Sequence, residues 1–207
     1  MSLFDNSPYS PLPGTNPAPR GIFIDLWGTL LLEPPKGEKK SASNLQFHEG
    51  ALEAMYLAHR SNWLLYLIGN EFDVAHGRLS DDEWNDINTE LCAQISGEGI
   101  RIQRQYICLD HPEGVGAHAF DSVFQLPNTG LLYHAMHNDS IELSKSWIVG
   151  DSTVELVSGW RAGCKLAGVR TGQAVEDGQF EVTPNFTAGN LSEALLALLG
   201  KQPVELL

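Results

Sequence analysis

Short, continuous apolar runs alternate along this chain with stretches in which apolar residues recur every three or four positions. Gly21-Ile22-Phe23-Ile24-Asp25-Leu26 is an apolar run that meets an acid at its end, the pattern of a strand buried on both faces of a parallel sheet. Trp147 to Gly150, followed by Asp151, repeats it; Trp63 to Ile68 is another apolar strand, and Ile102 to Cys108 and Lys165 to Val169 also read as strands. Between them, His48 to Arg60 carries Leu52, Met55 and Tyr56 at helical spacing. Ser80-Asp81-Asp82-Glu83 reads as a capping box opening a helix to about Ile95. Further helices are predicted from Thr129 through His137, over Thr153 to Ala162, and over Leu191 to Leu199 behind an Asn190 cap. Strands alternating with helices predict an α/β fold, a doubly wound, Rossmann-like parallel sheet with helices on both faces.

Residues 1–20 are expected to form an extended tail, because Pro8, Pro11, Pro13, Pro17 and Pro19 fall there without apolar periodicity. Residues 21–200 read as one domain, and 201–207 as a C-terminal tail. Glu33 to Asn44, with Lys36, Lys39 and Lys40, is predicted to be a solvated polar loop.

Of the 207 residues, 43% are hydrophobic and 19% charged, enough apolar material for a packed core. A net charge of −13 argues against a nucleic-acid or anionic-membrane surface. No apolar run approaches the roughly 20 residues that cross a bilayer, and the start of the chain lacks a signal-peptide pattern. Cys92, Cys108 and Cys164, odd in number and far apart, suggest reduced thiols and a cytoplasmic setting.

In doubly wound sheets, ligands bind beyond the carboxyl ends of the strands. Asp25, Asn70 and Asp151 are all expected at that edge. Glu155 follows Asp151 by one helical turn and should face the same way. Three converging acids, Asp25, Asp151 and Glu155, repel one another unless a cation lies between them, and hard oxygen ligands suit Mg²⁺. Asp25 could then approach phosphorus as a nucleophile.

These motifs, Asp25-Leu26-Trp27-Gly28-Thr29-Leu30 and Gly150-Asp151-Ser152-Thr153-Val154-Glu155, resemble those of the haloacid dehalogenase superfamily. Within it, residues 20 to 200 look most like the branch of histidinol-phosphate and D-glycero-D-manno-heptose 1,7-bisphosphate phosphatases. Gly69-Asn70-Glu71, Cys108-Leu109-Asp110-His111-Pro112 and Ser146 to Asp151 carry that resemblance. It implies a domain without a large cap and Asp25 as nucleophile. It also implies a Mg²⁺ seat from Asp25, the Trp27 backbone carbonyl, Asp151 and Glu155, and phosphate contacts from Thr29 and Asn70.

The departures from the branch are specific. Trp27 replaces the acid that protonates the leaving group, a loss expected to cost about 10² to 10⁴ in rate. Gly69 replaces a phosphate-binding hydroxyl, and Leu126 replaces the phosphate lysine; no nearby lysine is expected to substitute, Lys145 having to reach across. Cys108 persists from the branch's zinc loop, but Asp110, Ser122 and Phe124 stand at the other ligand positions, so zinc is not expected, even with His111 and His118 nearby.

From sequence, the main expectation is therefore a weak or inactive phosphatase used as a binding or assembly module for a small phosphorylated molecule or a protein partner. The alternative is an active Mg²⁺-dependent hydrolase of small phosphate monoesters acting through an aspartyl-phosphate on Asp25. A second alternative is a hydrolase like the 2-haloacid dehalogenases, which need no leaving-group acid. Trp63, Trp84, Trp147 and Trp160 are expected to fill the core between helices and sheet.

Overall fold

A computed structural model describes residues 18–201 of the chain. The proline-rich stretch expected to form a tail, up to residue 17, and residues 202–207 lie outside the described residues. Six parallel strands form one sheet: β1 Gly21–Asp25, β2 Leu64–Asn70, β3 Ile102–Cys108, β4 Trp147–Gly150, β5 Lys165–Val169 and β6 Phe186–Ala188. Their spatial order is β3-β2-β1-β4-β5-β6. The order reverses at β1, whose neighbours on its two sides are β2 and β4. That switch point leaves a crevice at the carboxyl end of β1.

The helices are α1 Ala51–Arg60, α2 Phe72–Ala75, α3 Asp81–Gly97, α4 Gly130–Asp139, α5 Thr153–Arg161 and α6 Leu191–Leu198. Successive side chains of a strand point to opposite faces, and β1 shows this directly. Ile22 and Ile24 pack with Met55 of α1, Leu91 of α3 and Leu195 of α6, whereas Phe23 packs with Leu132 of α4 and Leu156 of α5. All five β1 residues are buried, as an apolar run without alternation requires.

The predicted α/β sandwich is what the chain forms, and β3 and β5 span the expected residues. The helix expected from His48 begins instead at Ala51, because Gly50 at φ +70° cannot belong to a right-handed turn. Trp63 and Trp84 are buried and Trp147 meets Phe186 edge-on. Trp160 is not a core residue: it is 65% exposed. Leu156 and Gly159 form the inward face of α5, Gly159 lying so close to Ile148 that a Cβ would fall 2.3 Å from its Cγ1, and position 160 turns outward. No described helix is long and apolar enough to cross a membrane.

Candidate active site

The carboxyl ends of β1 and β4 bring Asp25 and Asp151 together, and the first turn of α5 adds Glu155. One carboxylate oxygen from each lies within 4.8 Å of the others, and all three residues are buried. The predicted convergence is therefore present. Its electrostatics are unfavourable without a cation. Burial first, then the charges of Glu155 and Asp151, push the Asp25 carboxyl well above the usual carboxylate range. Burial and the Asp151 charge push Glu155 up to about 8. Three acids held this close, with no basic side chain among the described residues bonded to any of them, suit a hard divalent cation.

Surrounding groups orient the acids. Asp151 accepts from the Thr29 hydroxyl at 2.9 Å and from the Gln173 backbone N–H at 2.7 Å. Glu155 belongs to the capping box of α5, accepting from the Ser152 backbone N–H and hydroxyl. It thus serves as a helix cap and a member of the carboxylate cluster at once. Two glycines make room for Asp151. A Cβ on Gly28 (φ +86°) would lie 2.5 Å from Asp151 Oδ2, and one on Gly172 (φ +54°) only 2.0 Å. Gly172→Ala is accordingly expected to destabilise the fold by roughly 2–4 kcal/mol, combining left-handed backbone strain with displacement of a buried carboxylate. Urea unfolding measures this; an unchanged midpoint would mean that Asp151 moves aside freely.

Several site residues make bonds that their sequence positions do not announce. Thr29 is fully buried and donates its hydroxyl to Asp151, orienting that carboxylate. Asn70 lines the cleft, but its amide is occupied: Oδ1 accepts from Leu126 N at 2.9 Å and Nδ2 donates to Leu126 O at 3.0 Å. It clamps the loop after Gln125. Trp27 forms part of the cleft wall, its Nε1 donating to Glu71 Oε2 at 2.8 Å. The indole leaves an open cleft of about 480 Å³ beside Asp25.

The solvated-loop expectation for Glu33 to Asn44 fails at Lys40. Lys39 is exposed and pairs with Glu83, but Lys40 turns inward against the cleft. Its Nζ lies 3.0 and 3.1 Å from the oxygens of Glu71, 3.4 Å from Asp73, and 4.7 Å from the Trp27 ring centroid. Glu71 is fully buried, and a buried carboxylate needs such partners. A lysine does therefore line the cleft. Lys145, by contrast, pairs with Glu142 just before β4 begins.

The four positions that correspond to the branch's zinc loop, Cys108, Asp110, Ser122 and Phe124, stay together at a second hollow, where His118 bridges Asp110 at 3.0 Å and Asp81 at 2.9 Å. His111 instead lines the main cleft, near Phe72 and His76. Among the described residues, Asp25, Asp151 and Glu155 form the one cluster of potential metal ligands.

No family model matches the chain. In sequence, it is similar to a D-glycero-beta-D-manno-heptose-1,7-bisphosphate 7-phosphatase of Pasteurella multocida, at 28% identity over 164 residues, 77% of this chain and 87% of that protein. A D-glycero-alpha-D-manno-heptose-1,7-bisphosphate 7-phosphatase of Burkholderia mallei is 27% identical over 145 residues, 70% of this chain and 76% of that protein. In fold, it is similar to the D,D-heptose 1,7-bisphosphate phosphatase of B. bronchiseptica, crystallised with magnesium and phosphate. That superposition has a TM-score of 0.74 at 20% identity, covering 87% of this chain and 98% of the other.

Proposed function

Because the chain has the haloacid dehalogenase fold and is related in sequence to heptose-1,7-bisphosphate phosphatases, we propose that it is an active Mg²⁺-dependent hydrolase of small phosphate monoesters of the sugar-phosphate type. The observation that carries this reading is the buried cluster of Asp25, Asp151 and Glu155, whose mutual repulsion a divalent cation relieves. Asp25, Asp151 and Glu155 would hold the ion, which when bound supplies positive charge that keeps Asp25 ionised and offsets the charge of the phosphoryl group.

Asp25 is the nucleophile. Its carboxylate oxygen attacks phosphorus, the ester oxygen departs, and water then releases phosphate from the aspartyl-phosphate. Thr29 and the Gln173 N–H keep Asp151 in place through both steps. The open cleft beside Asp25 admits a small ester, and Lys40 brings a positive charge to its wall.

The inactive-module reading rested on losses at Trp27, Gly69 and Leu126. The phosphatase names of the relatives, over 70% or more of the chain, support the active reading in its place. They also favour phosphorus over carbon as the electrophile, against the dehalogenase-like alternative. The purified protein is expected to release inorganic phosphate from heptose 1,7-bisphosphate and from p-nitrophenyl phosphate with Mg²⁺, and to stop when the metal is chelated. Release at the buffer rate with both esters defeats the proposal.

A further inference from the structure

Breaking an alkyl phosphate ester requires a proton for the departing oxygen, and Trp27 cannot give one. Its indole N–H is held by Glu71 and an indole does not ionise at working pH. The source must be another group on the cleft wall. The ionisable residues there, beyond the carboxylate cluster, are Glu33, Lys40 and His111.

Two of them are committed elsewhere. Lys40 gives its ammonium group to Glu71 and Asp73. His111 accepts the Glu113 backbone N–H on Nδ1 at 3.1 Å. Its neutral ring therefore carries its one proton on Nε2, and adding a second on Nδ1 would break the backbone bond. It is built as a fixed hydrogen-bond donor. Glu71 lies behind the indole, fully buried and ion-paired.

Glu33 differs from all of these. It stands at the cleft mouth on the loop that leaves β1, eight residues after Asp25, reachable from solvent, and its carboxylate bonds to no side chain among the described residues. We propose that Glu33 is the general acid and base of the reaction, taking over the task that Trp27 has vacated. The inference rests on the hydrolase reading above.

In the first step Asp25 bonds to phosphorus, the bond from phosphorus to the ester oxygen breaks, and the Glu33 proton passes to that oxygen to give the alcohol. In the second, the Glu33 carboxylate takes a proton from water as the water oxygen bonds to phosphorus. The Asp25–phosphorus bond breaks, inorganic phosphate leaves, and both carboxyl groups return to their starting states.

The surroundings of Glu33 suit this use. Partial enclosure by the cleft wall raises its carboxyl above the ordinary range; Lys40 opposes the rise, and the charges of Glu71, Asp151 and Asp73 reinforce it. A carboxyl so raised holds its proton closer to neutral pH.

Single-turnover kinetics of Glu33→Gln on two esters test the assignment, because p-nitrophenolate leaves without a proton and an alkoxide does not. On heptose 1,7-bisphosphate the variant should fall about 10²- to 10⁴-fold. On p-nitrophenyl phosphate the first-turnover burst should stay within a few-fold of the parent rate, with a slow steady state after it. Glu33→Asp should recover part of the sugar-phosphate rate. Melting temperatures of both variants should match the parent, since the side chain is exposed and unbonded. Equal losses on the two esters, or no loss on either, overturn the role of Glu33 and leave the hydrolase standing. So does a parent protein that cleaves only the p-nitrophenyl ester, which would have no working acid. A parent inert towards both overturns the two readings together.

Discussion

Asp25→Asn is expected to reduce phosphate release to background, by roughly 10⁴-fold or more, and at the same time to raise the melting temperature of the metal-free protein. Both effects come from one side chain. The amide cannot form the phosphoryl ester, and the other two acids of the cluster are committed: Asp151 is held by Thr29 and Gln173, and Glu155 by Ser152. The same amide removes one of three buried charges. Asp25 is raised by burial and by Glu155 and Asp151, so its ionised form costs stability in the folded state. An asparagine of nearly the same shape has no such cost, and its N–H₂ can donate to a neighbouring carboxylate. For a protein of this size each kcal/mol recovered shifts the midpoint by about 2–4 °C. Thermal melts in a chelator, beside phosphate release in Mg²⁺, check both halves. A variant that is inactive but less stable would mean that Asp25 is held by contacts other than those described. A variant that keeps its activity would remove it as nucleophile.

Much of this geometry was readable in advance because it depends on local pattern. Apolar runs ending in acids placed Asp25 and Asp151 at strand tips, and the i, i+4 spacing carried Glu155 to the same edge. Elements without such a pattern were missed. The strand β6 has three residues, none of them buried, at the sheet edge. The helix α2 is a single turn opened by the Glu71 side chain accepting from Asp73 N–H, too short to show a period.

The larger omissions are side-chain pairings between distant segments. Lys40 sits in a Pro-, Gly- and Lys-rich loop whose composition looks solvated, yet a buried acid 31 residues away draws it inward. Asn70 lies where a phosphate donor was expected, but its amide fits the backbone of Leu126, 56 residues on. Composition reports the cost of burying a charge; it does not report a partner that arrives from another loop. The same blindness hid Glu33. A lone glutamate before two prolines has no local signal, and only its position on the wall that holds Asp25 gives it meaning.

The stabilisation conferred by Mg²⁺ should grow steeply with pH. Consider the metal-free protein first. Asp25 and Glu155 have folded-state pKa values above their unfolded ones, Glu155 by enough to reach about 8. Below the ordinary carboxylate range both states are protonated and nothing is lost. As pH rises past it, the unfolded chain releases these protons while the folded state retains them, so stability falls, and it goes on falling until the folded groups ionise. For Glu155 the window therefore runs from about pH 4.5 to about pH 8, and Asp25 adds to the loss in the same direction. A bound divalent cation reverses the preference, because it favours the ionised carboxylates, and its affinity rises as fewer protons compete. The melting shift on adding Mg²⁺ should be small near pH 5 and several degrees larger near pH 8, about 2–4 °C for each kcal/mol of linkage. Taking the difference with and without metal at each pH cancels remote titrations such as that of His118, whose bonds to Asp110 and Asp81 raise its pKa. Asp151→Asn, which removes one ligand while leaving the Thr29 contact possible, should flatten the dependence. An equal Mg²⁺ shift at both pH values would mean that the ion binds away from the three acids.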